Sequence, residues 1–177
     1  MEKKYRSIAL KANRTLGSRL VELDLVPLEQ LEKANETLLQ ELHAGEPHIS
    51  VLRILLFGQQ ALNETEYLNY QIKEFKLAAL QPARYNITDA AFTTFNIDHY
   101  WATWTILFDK IDNIYFLCTT YYLSPFVREY WETLVDGAII WYTAEFTEVQ
   151  EILERQQRLI DNPNSTNGDP TKPEKKA

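Results

Sequence analysis

The sequence is poor in cysteine, which can cross-link a chain, and in glycine, which interrupts helices and strands. Its 177 residues include a single cysteine, Cys118, and only five glycines. One cysteine excludes a disulfide within the chain and fits a reducing compartment. No run of 18 apolar residues is present, and the first residues do not resemble a secretory signal peptide. These absences predict a cytoplasmic protein without a membrane span.

The sequence also lacks the motifs of common catalytic centres. None of the five glycines precedes a lysine, so no Gly-x-x-x-x-Gly-Lys-Ser/Thr phosphate loop can form. The three histidines and Cys118 do not have the spacing of a zinc site. No serine stands in a Gly-x-Ser-x-Gly nucleophile elbow. We therefore expect a protein that is not an enzyme and that holds neither a cofactor nor a metal.

Charge is distributed unevenly along the chain. The net charge is −7, yet residues 1–19 carry six basic side chains and one acid. The remaining residues are acidic, which disfavours nucleic acid as a partner because neutralised phosphates supply much of the affinity for such proteins. The basic start has two interpretations, namely a surface for an anionic partner or ligand, and a solvated, frayed first helix.

Residues 1–80 predict an all-α bundle of short helices, arranged as two helix–turn–helix units. Apolar residues recur every three or four positions from Leu28 to Leu42, which is typical of the inner stripe of a helix. Gly45 follows as a left-handed stop. In the second unit a short buried helix precedes Asn63, whose spacing to a glutamate three residues later predicts a helix cap.

Residues 81–160 predict a small α/β subdomain that starts with a β-hairpin. Apolar and polar side chains alternate from Ala102 to Asp109, which indicates a strand. A second run rich in β-branched and aromatic residues extends from Ile114 to Tyr122. The pair Ser124–Pro125 then has the chemistry of a helix cap followed by a first-turn proline.

A strand, a helix and a polar tail complete the predicted order. Residues 138–142 predict a short buried strand, and Thr147 with Gln150 predicts a capping box for the last helix. Residues 161–177 contain no large apolar side chain that could anchor them to a core, and they predict a disordered tail. The expected fold class is α+β, with the helical part first and the hairpin–helix–strand–helix part second.

The first helix–turn–helix unit carries a recognisable pattern. The run from Leu16 to Ala34 has Leu-Gly, spaced pairs of aliphatic residues and then a Glu-rich helix with a spaced leucine. It resembles the N-terminal domain of the ATPases of type II secretion and type IV pilus assembly. The likeness extends over about 140 residues, and it implies that recognition domain without the ATPase domain. The implied partner is a protein of the secretion or pilus machinery, such as the cytoplasmic domain of an inner-membrane platform protein.

The resemblance also implies a candidate ligand site. In one branch of the family, the motif binds cyclic di-GMP, so a cyclic dinucleotide sensor is the alternative function. Here the motif arginine is displaced by one position, and Asp24 replaces the motif glycine. The residues that the resemblance assigns to the site are Arg14, Leu16, Gly17, Leu20, Val21, Leu25, Val26 and Leu31.

Aromatic residues are concentrated in the second half of the chain. All four tryptophans and many tyrosines lie between Tyr100 and Phe146, more than a small three-stranded sheet is expected to bury. Two interpretations remain: a core built of large rings, and an exposed subset that binds a partner, since aromatic side chains are enriched at interfaces. The second predicts a partner patch formed by Trp101, Tyr121 and Tyr122.

Overall fold

The computed structural model describes residues 3–82 and 92–162 and has an α+β fold, as predicted. The predicted disordered tail lies outside the described residues from position 163 onward. The helices are α1 (Lys3–Glu22), α2 (Leu28–Ala44), α3 (Val51–Arg53), a π-helical turn (Ile54–Gly58), α4 (Glu64–Phe75), α5 (Ile97–Thr103), α6 (Pro125–Leu134) and α7 (Phe146–Asp161). The strands are β1 (Ala78–Ala79), β2 (Thr105–Ile111), β3 (Ile114–Thr119) and β4 (Ala138–Thr143).

The four strands form one mixed sheet in the order β1-β4-β3-β2. β2 and β3 make the predicted antiparallel hairpin, whose turn places Asp112 in the left-handed conformation with φ 51°. β4 is parallel to both β3 and β1. Because β1 comes from the end of the helical segment, the sheet includes a strand from each of the two predicted subdomains.

The first helix is longer than the sequence predicted and is packed along its length. Tyr5 and Ile8 are buried near its start, and the Tyr5 hydroxyl lies 3.2 Å from Nε2 of His99 in α5. Of the two interpretations of the basic start, the frayed first helix is therefore wrong, because apolar residues hold this helix against α5 and α6. Its basic side chains, including Lys3 and Arg14, remain exposed, apart from Arg19, which is half-buried.

A buried hydrogen-bond network joins the two predicted subdomains. Asn13 of α1 accepts from the backbone N–H of Val51 at 2.6 Å and from the Tyr121 hydroxyl at 2.8 Å. Ser50 lies 2.7 Å from the same hydroxyl and accepts from the backbone N–H of Arg53. Residues from both sides of the predicted boundary at position 80 also belong to one apolar core. The described residues of the two predicted subdomains therefore pack against each other.

The start of the hairpin differs from the predicted one. Residues 102 and 103 end helix α5, Trp104 adopts a left-handed conformation with φ 48°, and the strand begins at Thr105. Asn96 caps this helix by accepting from the Asp98 N–H at 2.9 Å. The alternation was misleading here because every residue from 100 to 107 is buried.

Most of the predicted helix ends are confirmed. Ser124 accepts from the N–H of Val127, Asn63 accepts from the N–H of Glu66, and Gly45 ends α2 with φ 85°. Each of these helix ends involves residues no more than four positions apart, so the local sequence contains both partners.

The predicted capping box of the last helix is wrong. The N–H and hydroxyl of Thr147 instead contact the Glu64 carboxylate of α4, at 2.8 Å and 3.0 Å. Gln150 donates to Glu154 one turn further along the helix, at 2.7 Å. The acceptor at the start of α7 therefore comes from another helix, and a carboxylate there is also favoured by the helix dipole.

We predict that Trp131→Ala lowers the free energy of unfolding by about 3–5 kcal/mol, the range for a fully buried large ring. Trp131 is inaccessible to solvent and donates to Thr103 at 3.0 Å. Trp141→Ala should cost less because that ring is only half-buried. Urea unfolding followed by circular dichroism compares the two variants, and equal losses would contradict the difference in burial.

We also predict that His48 makes the fold sensitive to acid. Burial lowers the pKa of His48 to about 4, and its ring stacks 3.8 Å from that of Trp101. Because the unfolded histidine has a pKa near 6.5, the stabilising contribution is present above about pH 6.5 and is lost as the pH falls towards 4. His48→Gln should lose less stability over this range.

The matched control for His48→Gln is His43→Gln, since His43 is exposed. Chemical unfolding at a series of pH values gives the free energy of unfolding for the three proteins. An unchanged pH dependence in His48→Gln would contradict the assignment.

Candidate functional site

The residues assigned by the resemblance lie along the contact between α1 and α2. Leu16, Leu20 and Val26 are at most 1% exposed and belong to the core. Val21 and Leu25 are half-buried and pack against the same core. These five side chains hold the helix pair together, and their burial leaves little surface for a ligand.

The other three assigned residues meet in one groove. Arg14, Gly17 and Leu31 line a cavity of about 460 Å³ between the two helices. We call this cavity the helical groove; its remaining lining residues are Leu10, Ser18, Asn35, Leu38 and Leu39. Leu10 is 36% exposed and Leu39 is 50% exposed, so the groove offers apolar surface to a ligand.

Gly17 sets how closely the two helices approach at the groove. A Cβ atom at this position would lie 2.7 Å from Cδ1 of Leu31, below any normal contact. A larger residue would therefore displace the Leu31 side chain and change the floor of the groove. The same glycine is thus a packing residue and a determinant of the shape of the groove.

The charges at the groove are few. Arg14 is exposed and is the one charged residue among its lining residues, so its guanidinium is suited to an anionic group. Asp24 lies in the turn after α1 with φ 55°, a conformation that glycine adopts more easily. Asp24 thus adopts a conformation suited to the motif glycine that it replaces, and it adds a carboxylate to this turn.

The predicted partner patch is wrong for two of its three residues. Trp101 is 2% exposed and Tyr121 is inaccessible to solvent. Trp101 donates to Gln157 of α7, and Tyr121 belongs to the buried hydrogen-bond network. These rings are buried because α1 and α7 enlarge the interior beyond what a small sheet alone could provide.

Tyr122, the third residue, does lie at the surface, in a cluster of rings that the sequence did not reveal. Its ring centroid is 5.7 Å from that of Phe75 and 5.9 Å from that of Trp141. Tyr70 is 6.3 Å from Phe75, and the Arg128 guanidinium lies 4.9 Å above the Tyr122 ring. These five half-buried residues, from α4, the loop after β3, α6 and β4, form what we call the aromatic surface.

A second cavity, of about 390 Å³, lies away from the predicted ligand residues. Glu41, Glu46 and Glu154 line it, together with Arg53, which bonds Glu41 at 2.5 Å. Its walls are therefore acidic, and its chemistry differs from that of the helical groove.

Reactive groups are scarce in the described ranges 3–82 and 92–162. Burial raises the pKa of the Cys118 thiol, which keeps the sulfur protonated and unreactive at neutral pH. No group of three His, Cys, Asp or Glu side chains in these ranges could hold a metal ion. No helix in these ranges has the length and apolar character needed to cross a membrane.

Comparisons with known proteins find a likeness in structure only. No protein-family model matches the chain, and no curated protein matches its sequence. A solved structure of MshE with cdg superimposes with a TM-score of 0.51 and 19% identity, covering 80% of this chain and 97% of that chain. The N-terminal domain of XpsE gives a TM-score of 0.49 and 11% identity, covering 88% of this chain and 97% of that one.

At 19% identity, the match to MshE demonstrates a shared fold. It covers most of this chain and nearly all of the matched structure, so both parts of the predicted architecture are included. The likeness to the N-terminal domains of secretion and pilus ATPases, predicted from the sequence, is therefore confirmed at the level of the fold.

Proposed function

We propose that the chain is a non-catalytic protein-interaction and regulatory module that docks, in the cytoplasm, on a component of a secretion or pilus machinery. The observation that carries the proposal is the aromatic surface, which gathers four rings and an arginine from four separate parts of the fold. The fold shared with MshE supports the choice of machinery.

The composition of the aromatic surface suits a protein partner. Tyrosine, tryptophan and arginine are the residues that most often dominate binding energy at protein interfaces. The rings are half-buried and touch one another, and Arg128 lies over Tyr122. Side chains held in this way lose little conformational entropy on binding, so more of the contact energy is available for affinity.

We predict that the double variant Tyr122→Ala with Arg128→Ala binds the partner at least about tenfold more weakly, since hot-spot side chains commonly contribute that much. The test is the affinity for the purified cytoplasmic domain of the inner-membrane platform protein from the same cell, measured by calorimetry. Leu39→Ala, an exposed change in the helical groove, is the matched control. Equal affinities of the double variant and the native chain would refute docking through this surface.

The second candidate function is a cyclic dinucleotide sensor at the helical groove. Its support is the position of Arg14 beside an apolar groove of about 460 Å³, together with the likeness to MshE, which was solved with cdg. Arg14 would bind a phosphate of the ligand, and Leu10 and Leu39 would contact its apolar parts. Asp24 opposes an anionic ligand by Coulomb repulsion, which predicts a weaker site than one with glycine there.

We predict saturable heat when cyclic di-GMP is titrated into the full chain, and its loss in Arg14→Ala and Gly17→Leu. The first variant removes the cation, and the second forces the Leu31 side chain to move and so changes the shape of the groove. The control is Arg19→Ala, which removes a half-buried arginine of the same helix that lies outside the groove and pairs with Glu22 at 2.9 Å. Absence of heat with the native chain would rule out the sensor and leave the docking proposal standing.

A further inference from the structure

One face of the sheet carries large exposed isoleucines near the hairpin turn. In the strand register, Ile111 of β2 is opposite Ile114 of β3, and Phe116 of β3 is opposite Ile140 of β4. Directly opposed residues lie on the same face of a sheet, as do residues two apart on one strand. Ile111, Ile114, Phe116 and Ile140 therefore form one continuous patch, which we call the isoleucine face.

Exposure rises along this face towards the hairpin turn. At the other end, Ile106 and Cys118 are opposed and inaccessible to solvent. At the turn end, Ile111 is 54% exposed, Ile114 is 38% exposed and Ile140 is 42% exposed. Three neighbouring strands each expose a large aliphatic side chain here, so the patch differs from a single exposed apolar residue, which is normal on protein surfaces.

The charges around the isoleucine face are acidic. Asp109 is opposite Phe116 and thus shares its face, while Asp112 lies in the hairpin turn and Asp136 comes just before β4. All three aspartates are exposed. The neighbouring base, Lys110, belongs to the opposite face, where its Nζ lies 4.7 Å from the centroid of the Tyr115 ring.

The acidic charges around the isoleucine face indicate which kind of molecule could bind there. An anionic lipid surface would be repelled by the three aspartates. Symmetric pairing of two copies through this face would bring the same aspartates against each other. Pairing along the edge strand β2 is also hindered, because the strand is irregular between Leu107 and Asp109. A basic, apolar segment of another protein satisfies both the exposed isoleucines and the acidic rim.

We infer that the isoleucine face is a second docking site, which binds an amphipathic helix with an aliphatic stripe flanked by lysine or arginine. Since side chains alternate along a strand, Ile140 and Trp141 of β4 point to opposite faces of the sheet. The site is therefore separate from the aromatic surface, and the chain is able to bridge two protein segments, one on each side of its sheet.

The test uses a synthetic amphipathic helix of leucine and lysine, labelled with a fluorophore, and the full chain in an anisotropy titration. The expected result is saturable binding that weakens at high salt because the charge contribution is screened. Ile140→Asp and, as a second variant, Ile111→Asp should each weaken binding at least about tenfold. The same helix with glutamate in place of lysine should not bind.

The matched control is Ile160→Asp, which changes an isoleucine of α7 that is 55% exposed and lies outside the face. Tyr122→Ala should also leave binding unchanged, which separates this site from the proposed docking function. Absence of binding, or equal weakening by Ile160→Asp, would overturn the inference. It would also be overturned if sedimentation showed that the native chain self-associates and that Ile140→Asp abolishes the association, since a second copy would then be the occupant.

Discussion

The fold depends on the buried hydrogen bonds of Asn13. This side chain is 2% exposed, accepts from Val51 N–H and the Tyr121 hydroxyl, and donates to the Ala9 carbonyl at 2.8 Å. A buried polar group left without a partner costs about 1–3 kcal/mol, so α1, the turn before α3 and the loop after β3 must keep one arrangement. The network thereby fixes where the helical part meets the sheet.

The candidate surfaces follow from this arrangement. With Tyr121 anchored inside, the next residue along the loop, Tyr122, emerges beside Phe75 and Trp141 and completes the aromatic surface. Leu16 and Leu20 fix α1 against the core. Other residues of α1, together with residues of α2, line the helical groove. The packing of the interior therefore also determines which side chains lie at the surface.

Sequence patterns were reliable wherever both interacting groups lie close together in the chain. The caps at Ser124 and Asn63 and the turn at Gly45 were all predictable from neighbours within a few residues. Of the eight residues that the resemblance assigned to a ligand site, the structure places Arg14, Gly17 and Leu31 in one groove, and ligand binding there stays a prediction. Patterns failed at Ala102 and Trp104, where burial on all sides removed the contrast that distinguishes a strand from a helix.

The sequence by itself determined the α+β class, the order of most elements and the absence of a phosphate loop, because each depends on residue types or on contacts between near neighbours. Only the tertiary structure decided that Glu64 caps the last helix, that Trp101 and Tyr121 are buried, and that Tyr122 and Ile140 reach the surface. Burial and exposure depend on which distant segments pack together, and the hydrogen bonds and apolar contacts that select this packing join residues many positions apart.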